Sequence, residues 1–299
     1  MATFTPVPED TNPSISVHPK AIISTIDKNI YGGFTEFVFA LQSPCLHSCD
    51  AEKKFYPSKT KSLTRATRHM GRCIYGGIYD PGNPLSDENG FRRDVIDAFK
   101  ELNCPVVRYP GGNFVATYHW LDGVGPRENR PARPELAWIG TESNEFGTDE
   151  FMKWCEIVGT EPYLCLNFGT ALGWVEYCNS DRNSYYANLR RKNGREKPYN
   201  VRYWALGNEM WGPWQVCQMT KEDYAKKAYQ WAKAIKLLDP SVELILCGEN
   251  GSSSWDSYVI KECIKFDRHC LGGSATASLI DQHSIHIYTA GPNHYTNVT

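Results

Sequence analysis

An α/β fold, and within that class a (β/α)8 TIM barrel, is what this 299-residue sequence predicts. Short apolar runs rich in β-branched and aromatic residues alternate with stretches of helical spacing, the pattern of parallel βα units. Polar side chains cluster just after the apolar runs, at Arg108/Asn113, Asn167, Asn208/Glu209, Glu249/Asn250 and His286/Tyr288. A barrel brings its C-terminal strand ends together on one face. A doubly wound open sheet would place function at one switch point, usually beside a glycine-rich phosphate loop. Neither G-x-G-x-x-G after a strand nor a Walker-type lysine loop occurs.

In chain order, residues 1–20 are Pro- and Ser-rich and read as extended. Ala21–Ile26 reads as a strand, and Asn29–Glu36 as a second strand reaching a glycine turn. Residues 37–68 change character: rich in Lys, Ser and Thr, they hold no sustained period. Phe91–Leu102 has helical spacing, and Pro105–Tyr109 is a buried strand running into Pro110-Gly111-Gly112-Asn113. Thr148–Val158 is a helix with Thr148 as its N-cap. Glu161–Asn167 is a strand, 171–178 a helix and 179–199 a polar excursion. The strand Val201–Leu206 precedes a long helix, Lys221–Leu238, whose Tyr224, Ala228, Trp231, Ile235 and Leu238 recur three or four apart. Val242–Cys247 is a strand, 255–266 a helix and Leu279–Ile287 a strand.

A net charge of -2 and a pI near 6.5 give no electrostatic case for nucleic acid or an anionic membrane as partner. The 22% charged and 13% aromatic fractions belong to a folded globule, with aromatics enough for both core and a sugar-stacking surface. Met1–Pro8 has neither a basic nor an apolar region of the secretory kind, and no run is long enough to span a bilayer, so the expected location is cytoplasmic. Eleven cysteines without framework spacing read as reduced thiols, with Cys104, Cys165 and Cys247 as core filler.

The stretch Tyr203–Trp211 concentrates the chemistry. An apolar run breaks at Gly207 and presents Asn208 and Glu209 side by side, with Trp211 and Trp214 just beyond. A carboxylate leaving a buried strand into an aromatic loop is poorly solvated, so its pKa is expected to rise, as suits a general acid. The plain alternative is a strand end with a solvated glutamate.

Four motifs in order carry a family likeness: Arg108–Phe114 (RYPGGNF), Glu142–Gly147 (ESNEFG), Trp204–Glu209 (WALGNE) and His283–Tyr288 (HSIHIY). They resemble the intracellular α-L-arabinofuranosidases of glycoside hydrolase family 51, from about residue 20 onward except over 37–68. The resemblance implies a retaining glycosidase that needs no metal or cofactor and releases terminal arabinofuranosyl units from arabinan- or arabinoxylan-type oligosaccharides. One glutamate protonates the leaving oxygen while another attacks the anomeric carbon from about 5–5.5 Å away. Carried over, Glu209 is the general acid/base and Asn208 the ligand of the sugar 2-hydroxyl. Glu36 and Asn113 bind sugar hydroxyls, and Arg108 lies beneath the carboxylates, holding a nucleophile ionised. His286 and Tyr288 line the pocket and position the nucleophile, and Trp138 is a further pocket candidate, with core packing as its alternative. Homo-oligomers are expected of the full-length family.

The sequence departs from that pattern in three places. The seventh-strand nucleophile has no counterpart after Tyr288, nor do the last strands and the C-terminal β-sandwich. The implied domains are therefore 1–20, an extended segment that joins the sandwich, and 21–299, a partial barrel. The segment 37–68 separates Glu36 from His69, which the family pattern makes neighbours, and codons for Glu36-Phe37-Val38, Leu63-Thr64 and Thr67-Arg68 can spell the signals of a retained intron. Its Cys45, His47 and Cys49 match no standard metal spacing. The loop Asn167–Trp174 is shortened. The alternative to an active glycosidase is a catalytically inactive, carbohydrate-binding fragment; a xylosidase or endoglucanase with the same Asn-Glu pair is a weaker one.

Overall fold

The computed structural model describes residues 33–34, 73–138, 140–167, 169–264 and 279–287. The expectations for Ala21–Ile26, Glu36, residues 37–68 with Cys45, His47 and Cys49, and Tyr288 lie outside the described residues.

Among the described residues, six strands form one sheet: β1 (Gly33–Phe34), β2 (Val106–Tyr109), β5 (Glu161–Leu166), β6 (Tyr203–Leu206), β7 (Glu243–Leu246) and β8 (Gln282–His283). Every neighbouring pair is parallel, with Arg108 opposite Tyr163, Tyr163 opposite Tyr203, Leu206 opposite Leu246, and Leu246 opposite His283. Helices α1 (Arg93–Glu101), α2 (Thr148–Val158), α3 (Ala171–Asn179), α4 (Tyr185–Lys192), α5 (Lys221–Leu238) and α6 (Ser254–Ile264) fall between the strands. Sequential parallel strands with helical crossovers are the build of a (β/α) barrel wall.

Alternation along each strand splits the side chains between two layers. Val107, Tyr109, Leu164, Leu166, Trp204, Leu206, Leu244 and Leu246 join the large core with the helices. Val106, Tyr203 and Ile245 pack with Tyr163, while Cys165 and Ala205 pack with Val115, on the opposite face. Arg108 shares the parity of Val106, so its guanidinium lies on that inner face, where it meets Cys165.

Helix α5 matches its expected limits because its punctuation is local: Thr220 Oγ1 accepts the Asp223 N–H at 3.2 Å, and Glu222 and Asp223 occupy the first turn. Its buried Tyr224 donates to the Leu206 carbonyl at 2.8 Å and accepts the Cys247 N–H at 2.7 Å, tying together the ends of β6 and β7. Lys236, 5% exposed, donates to the Val242 carbonyl and to Asp281, which also accepts the Leu244 N–H, and so ties β8 to β7.

Two local expectations need correction, and a third stretch, for which the sequence pattern predicts no elements, proves to be structured. Thr148 is not the N-cap of α2 but its first residue, buried, with Oγ1 accepting the Trp174 indole N–H at 3.1 Å; Gly147 takes the cap position and Glu150 accepts its N–H. The excursion 179–199 contains α4, whose buried Arg190 donates to the Tyr177 and Ser180 carbonyls at 2.7 and 2.8 Å. The long β2–α2 connection is built, too: short 3-10 turns lead into an antiparallel pair, β3 (Arg133–Glu135) and β4 (Gly140–Glu142).

That connection explains the Glu142–Gly147 motif. Glu142 accepts the Asn144 N–H at 2.6 Å and the Tyr75 hydroxyl at 2.5 Å, and Asn144 turns the chain at φ 58°. Gly147 lies against Gly123, where a Cβ would sit 1.8 Å from the Gly123 carbonyl oxygen, so only glycine fits. The motif is a clamp in the fold.

Candidate active site

Strand β6 is buried along its whole length, and its exit is set by two consecutive demands on the backbone. Gly207 takes φ 90°, which glycine adopts freely, and Glu209 takes φ 46°, which costs a residue with a Cβ about 1 kcal/mol or more. The turn leaves Asn208 and Glu209 only 3% and 6% exposed at the C-terminal strand ends. Backbone strain held at a buried carboxylate points to use of that carboxylate.

Glu209 is gripped by both oxygens. His286, just beyond β8, approaches Oε1 with Nδ1 at 3.0 Å, and the Trp214 indole N–H donates to Oε2 at 3.2 Å. The remaining imidazole nitrogen of His286 lies 3.4 Å from Ser284 Oγ, and the His286 backbone N–H donates to the Glu249 carbonyl. The β7 loop is locked in turn, because Asp256 accepts the N–H groups of Glu249, Gly251 and Ser253 and meets His283 Nε2 at 2.7 Å.

Beneath the pair lies Arg108. One of its nitrogens, Nη2, donates to Asn208 Oδ1 at 2.9 Å and to Cys165 Sγ at 2.9 Å, and its guanidinium carbon stands 5.6 Å from the centre of the Tyr163 ring. Cys165 also donates to the Gly207 carbonyl, and Cys247 Sγ accepts the Met210 N–H at 3.3 Å. The two thiols therefore fasten both ends of the Gly207–Met210 turn, beyond their expected part as core filler. Burial pushes the Cys247 thiol up to about 12, so it stays protonated at neutral pH.

Glu209 departs from expectation in its acidity. Burial does push its pKa up, as a poorly solvated carboxylate requires. The His286 hydrogen bond and charge, the Trp214 N–H and the Arg108 charge outweigh it, and the net direction is down. The carboxylate is ionised in this arrangement, held by partners that favour its charged form.

Of the site residues expected from sequence, the structure brings together Arg108, Asn208, Glu209 and His286 as two hydrogen-bonded pairs, Arg108–Asn208 and His286–Glu209, on adjacent residues of the β6 exit. Asn113 opens a 3-10 turn (Asn113–Thr117) after the Pro110-Gly111-Gly112 turn. Trp138 sits half-buried in the turn between β3 and β4, where its backbone N–H and that of Ala137 donate to Glu135 at 2.6 and 2.8 Å. Cys165 and Cys247 carry no site signal in their local sequence, and Ser284, although it lies within the His283–Tyr288 motif, has no role assigned by it. Among the described residues no group of three or more His, Cys, Asp or Glu side chains could hold a metal ion, and no helix is long and apolar enough to cross a membrane.

The chain that carries this buried Asn-Glu pair is similar along its length to known proteins. The sequence model of the α-L-arabinofuranosidase 1 domain fits residues 98–298. This chain belongs to the α-L-arabinofuranosidase family. A probable α-L-arabinofuranosidase C of Aspergillus fumigatus is 63% identical over 304 residues, which cover 100% of this chain and 54% of that protein. Among solved structures, the family 51 (GH51) α-L-arabinofuranosidase of Thermotoga petrophila superposes with TM-score 0.71 at 42% identity, over 90% of this chain and 47% of that one. The arabinose complex of the Thermotoga maritima α-L-arabinofuranosidase superposes with TM-score 0.68 at 48% identity, over 76% of this chain and 45% of that one. The chain thus spans about half the length of the arabinofuranosidases it matches.

Proposed function

We propose that this chain supplies the acid/base half and much of the sugar pocket of a retaining α-L-arabinofuranosidase, which releases terminal non-reducing α-L-arabinofuranosyl residues from arabinan- or arabinoxylan-type oligosaccharides. The observation that carries the reading is the buried Glu209 at φ 46°, bonded to His286 and Trp214 beside an arginine-held Asn208. Glu209 protonates the departing glycosidic oxygen and later takes a proton from the attacking water. With the Asn208 amide oxygen occupied by Arg108, its Nδ2 group is what remains to donate to a sugar hydroxyl, here the 2-hydroxyl. Glu36, Asn113, Tyr288 and Trp138 are proposed as further pocket residues, and the setting is proposed to be cytoplasmic sugar catabolism.

The nucleophile is proposed to lie outside these 299 residues. A second carboxylate about 5–5.5 Å from Glu209 would oppose its ionisation and raise its pKa toward that of a working acid. The downward direction in its absence fits a carboxylate that binds sugar hydroxyls without turning over, which is the inactive, carbohydrate-binding reading. The test sets the 299-residue chain beside a longer chain that supplies a strand-borne glutamate. The longer chain is expected to hydrolyse a nitrophenyl arabinofuranoside and an arabino-oligosaccharide. Glu209→Ala in it should cut oligosaccharide turnover by about 10²–10⁴-fold, and less with the good nitrophenyl leaving group, which needs little protonation. Equal losses on both substrates would refute the acid/base role, and Glu209-dependent turnover by the 299-residue chain would refute the missing nucleophile.

A further inference from the structure

One sulfur atom joins the backbone and the side-chain contacts that hold Asn208. Cys165 is 0% exposed and packs with Val115 and Ala205 on the inner face of the sheet. Its thiol donates to the Gly207 carbonyl at 3.3 Å, and the same sulfur accepts from Arg108 Nη2 at 2.9 Å. A guanidinium Nη2 carries two N–H bonds, both in the plane of the group. One goes to Cys165 and the other to Asn208 Oδ1, also at 2.9 Å, so both directions of that nitrogen are taken. Tyr163, on the same strand as Cys165, presents its ring to the guanidinium at 5.6 Å. Strand β5 thus holds Arg108 at an edge and at a face.

These contacts meet on Asn208 from two sides. The Gly207 carbonyl belongs to the planar peptide that leads into Asn208, so the thiol fixes the plane from which the side chain springs. Arg108, held by the same thiol, fixes which end of the amide faces inward. The oxygen and NH2 ends of an asparagine amide are alike in shape, and only hydrogen bonding tells them apart. With Oδ1 on the guanidinium, the NH2 end is the one left for a sugar.

We propose that Cys165 is a positioning residue for Asn208, and that through Asn208 it sets how strongly the site selects a sugar bearing a 2-hydroxyl. The inference rests on the glycosidase reading, in which Asn208 Nδ2 donates to that hydroxyl, and adds the residue that aims the donor. Fully buried, the sulfur meets no sugar itself. The 2-hydroxyl contact tightens as the anomeric carbon gains positive charge, so a misaimed donor costs more in the transition state than in the ground state. The loss therefore falls on kcat more than on KM, and only with sugars that carry the hydroxyl.

The test uses the longer chain that supplies the strand-borne glutamate, with nitrophenyl α-L-arabinofuranoside and its 2-deoxy analogue as substrates. Cys165→Ala is expected to lower kcat on the arabinofuranoside about tenfold, with KM within about twofold. On the 2-deoxy analogue the loss should shrink to under about twofold, which also shows that the variant is folded. Cys165→Ser keeps a donor and an acceptor on a shorter bond. It should lose about threefold, again only on the arabinofuranoside, and it carries the comparison if the alanine variant does not fold. Added to Asn208→Ala, Cys165→Ala should cost no more than about a further twofold, because the two act as one unit. Equal losses on both substrates overturn the positioning role alone, as does undiminished kcat on the arabinofuranoside. An unsubstituted longer chain that hydrolyses neither substrate overturns it together with the glycosidase reading.

Discussion

The carboxyl of Glu142 is the group whose titration the fold should report most clearly. It is 3% exposed, and Oε2 has no hydrogen-bond partner among the described residues. Burial raises its pKa from 4.5 to about 7; hydrogen bonds from Tyr75 and the Asn144 N–H pull the other way, and the charges of Glu135 and Glu145 add to the rise. Its folded value stands above its unfolded one. The stabilising contribution of the neutral acid is therefore complete below about pH 4.5 and is lost as pH rises through about 7. A rise of this size corresponds to about 3 kcal/mol, most of it falling between about pH 5 and 8.

Glu142→Gln keeps the shape and an acceptor for Tyr75 and Asn144 while removing the charge. Urea unfolding followed by tryptophan fluorescence at a series of pH values measures the difference. Near pH 5 the two proteins should agree within about 1 kcal/mol; near pH 8 the glutamine variant should be more stable by about 2–3 kcal/mol. Parallel loss of stability in both proteins across that range would refute the claim that Glu142 is buried as a neutral acid.

Three further outcomes are expected. His286→Ala removes the strongest partner opposing the effect of burial on Glu209, so the Glu209 carboxyl should titrate at higher pH, read by carbon NMR of labelled glutamate; an unmoved value would sink the account of its acidity. Tyr224→Phe takes the bridging hydroxyl from the Leu206 carbonyl and the Cys247 N–H and should cost about 1–3 kcal/mol in urea unfolding, with a loss under about 0.5 kcal/mol arguing against the bridge. For residues 37–68, sequencing of the transcript should find an excised form joining Glu36 to His69, and a message that always retains the segment would end the intron proposal.

What could be read from the sequence and what could not divide along how far away the deciding partner is. The α5 limits follow from Thr220 and an apolar period within one stretch, and the β6 run ending in Asn208-Glu209 is as local. Helix α4 escapes the period rule because its buried face is closed by a guanidinium that satisfies carbonyls, so Arg190 reads as solvent-facing until Tyr177 and Ser180 are placed around it. The sign of the Glu209 shift fails for the same reason. Burial could be inferred from the apolar run, but its opponent His286 lies 77 positions later. Cys165 looked like filler because its partner, Arg108, lies 57 positions earlier on another strand. Family likeness bridges such distances only in part. It brought Arg108 and His286 to the site, yet it treated Glu142–Gly147 as a mark of kinship without saying what the stretch does. The geometry makes it a clamp around a buried acid and an irreplaceable glycine. A motif can therefore persist because it holds the connection beneath a site, and a shared motif is evidence of chemistry only where its side chains meet those of other strands, as Asn208 and Glu209 do.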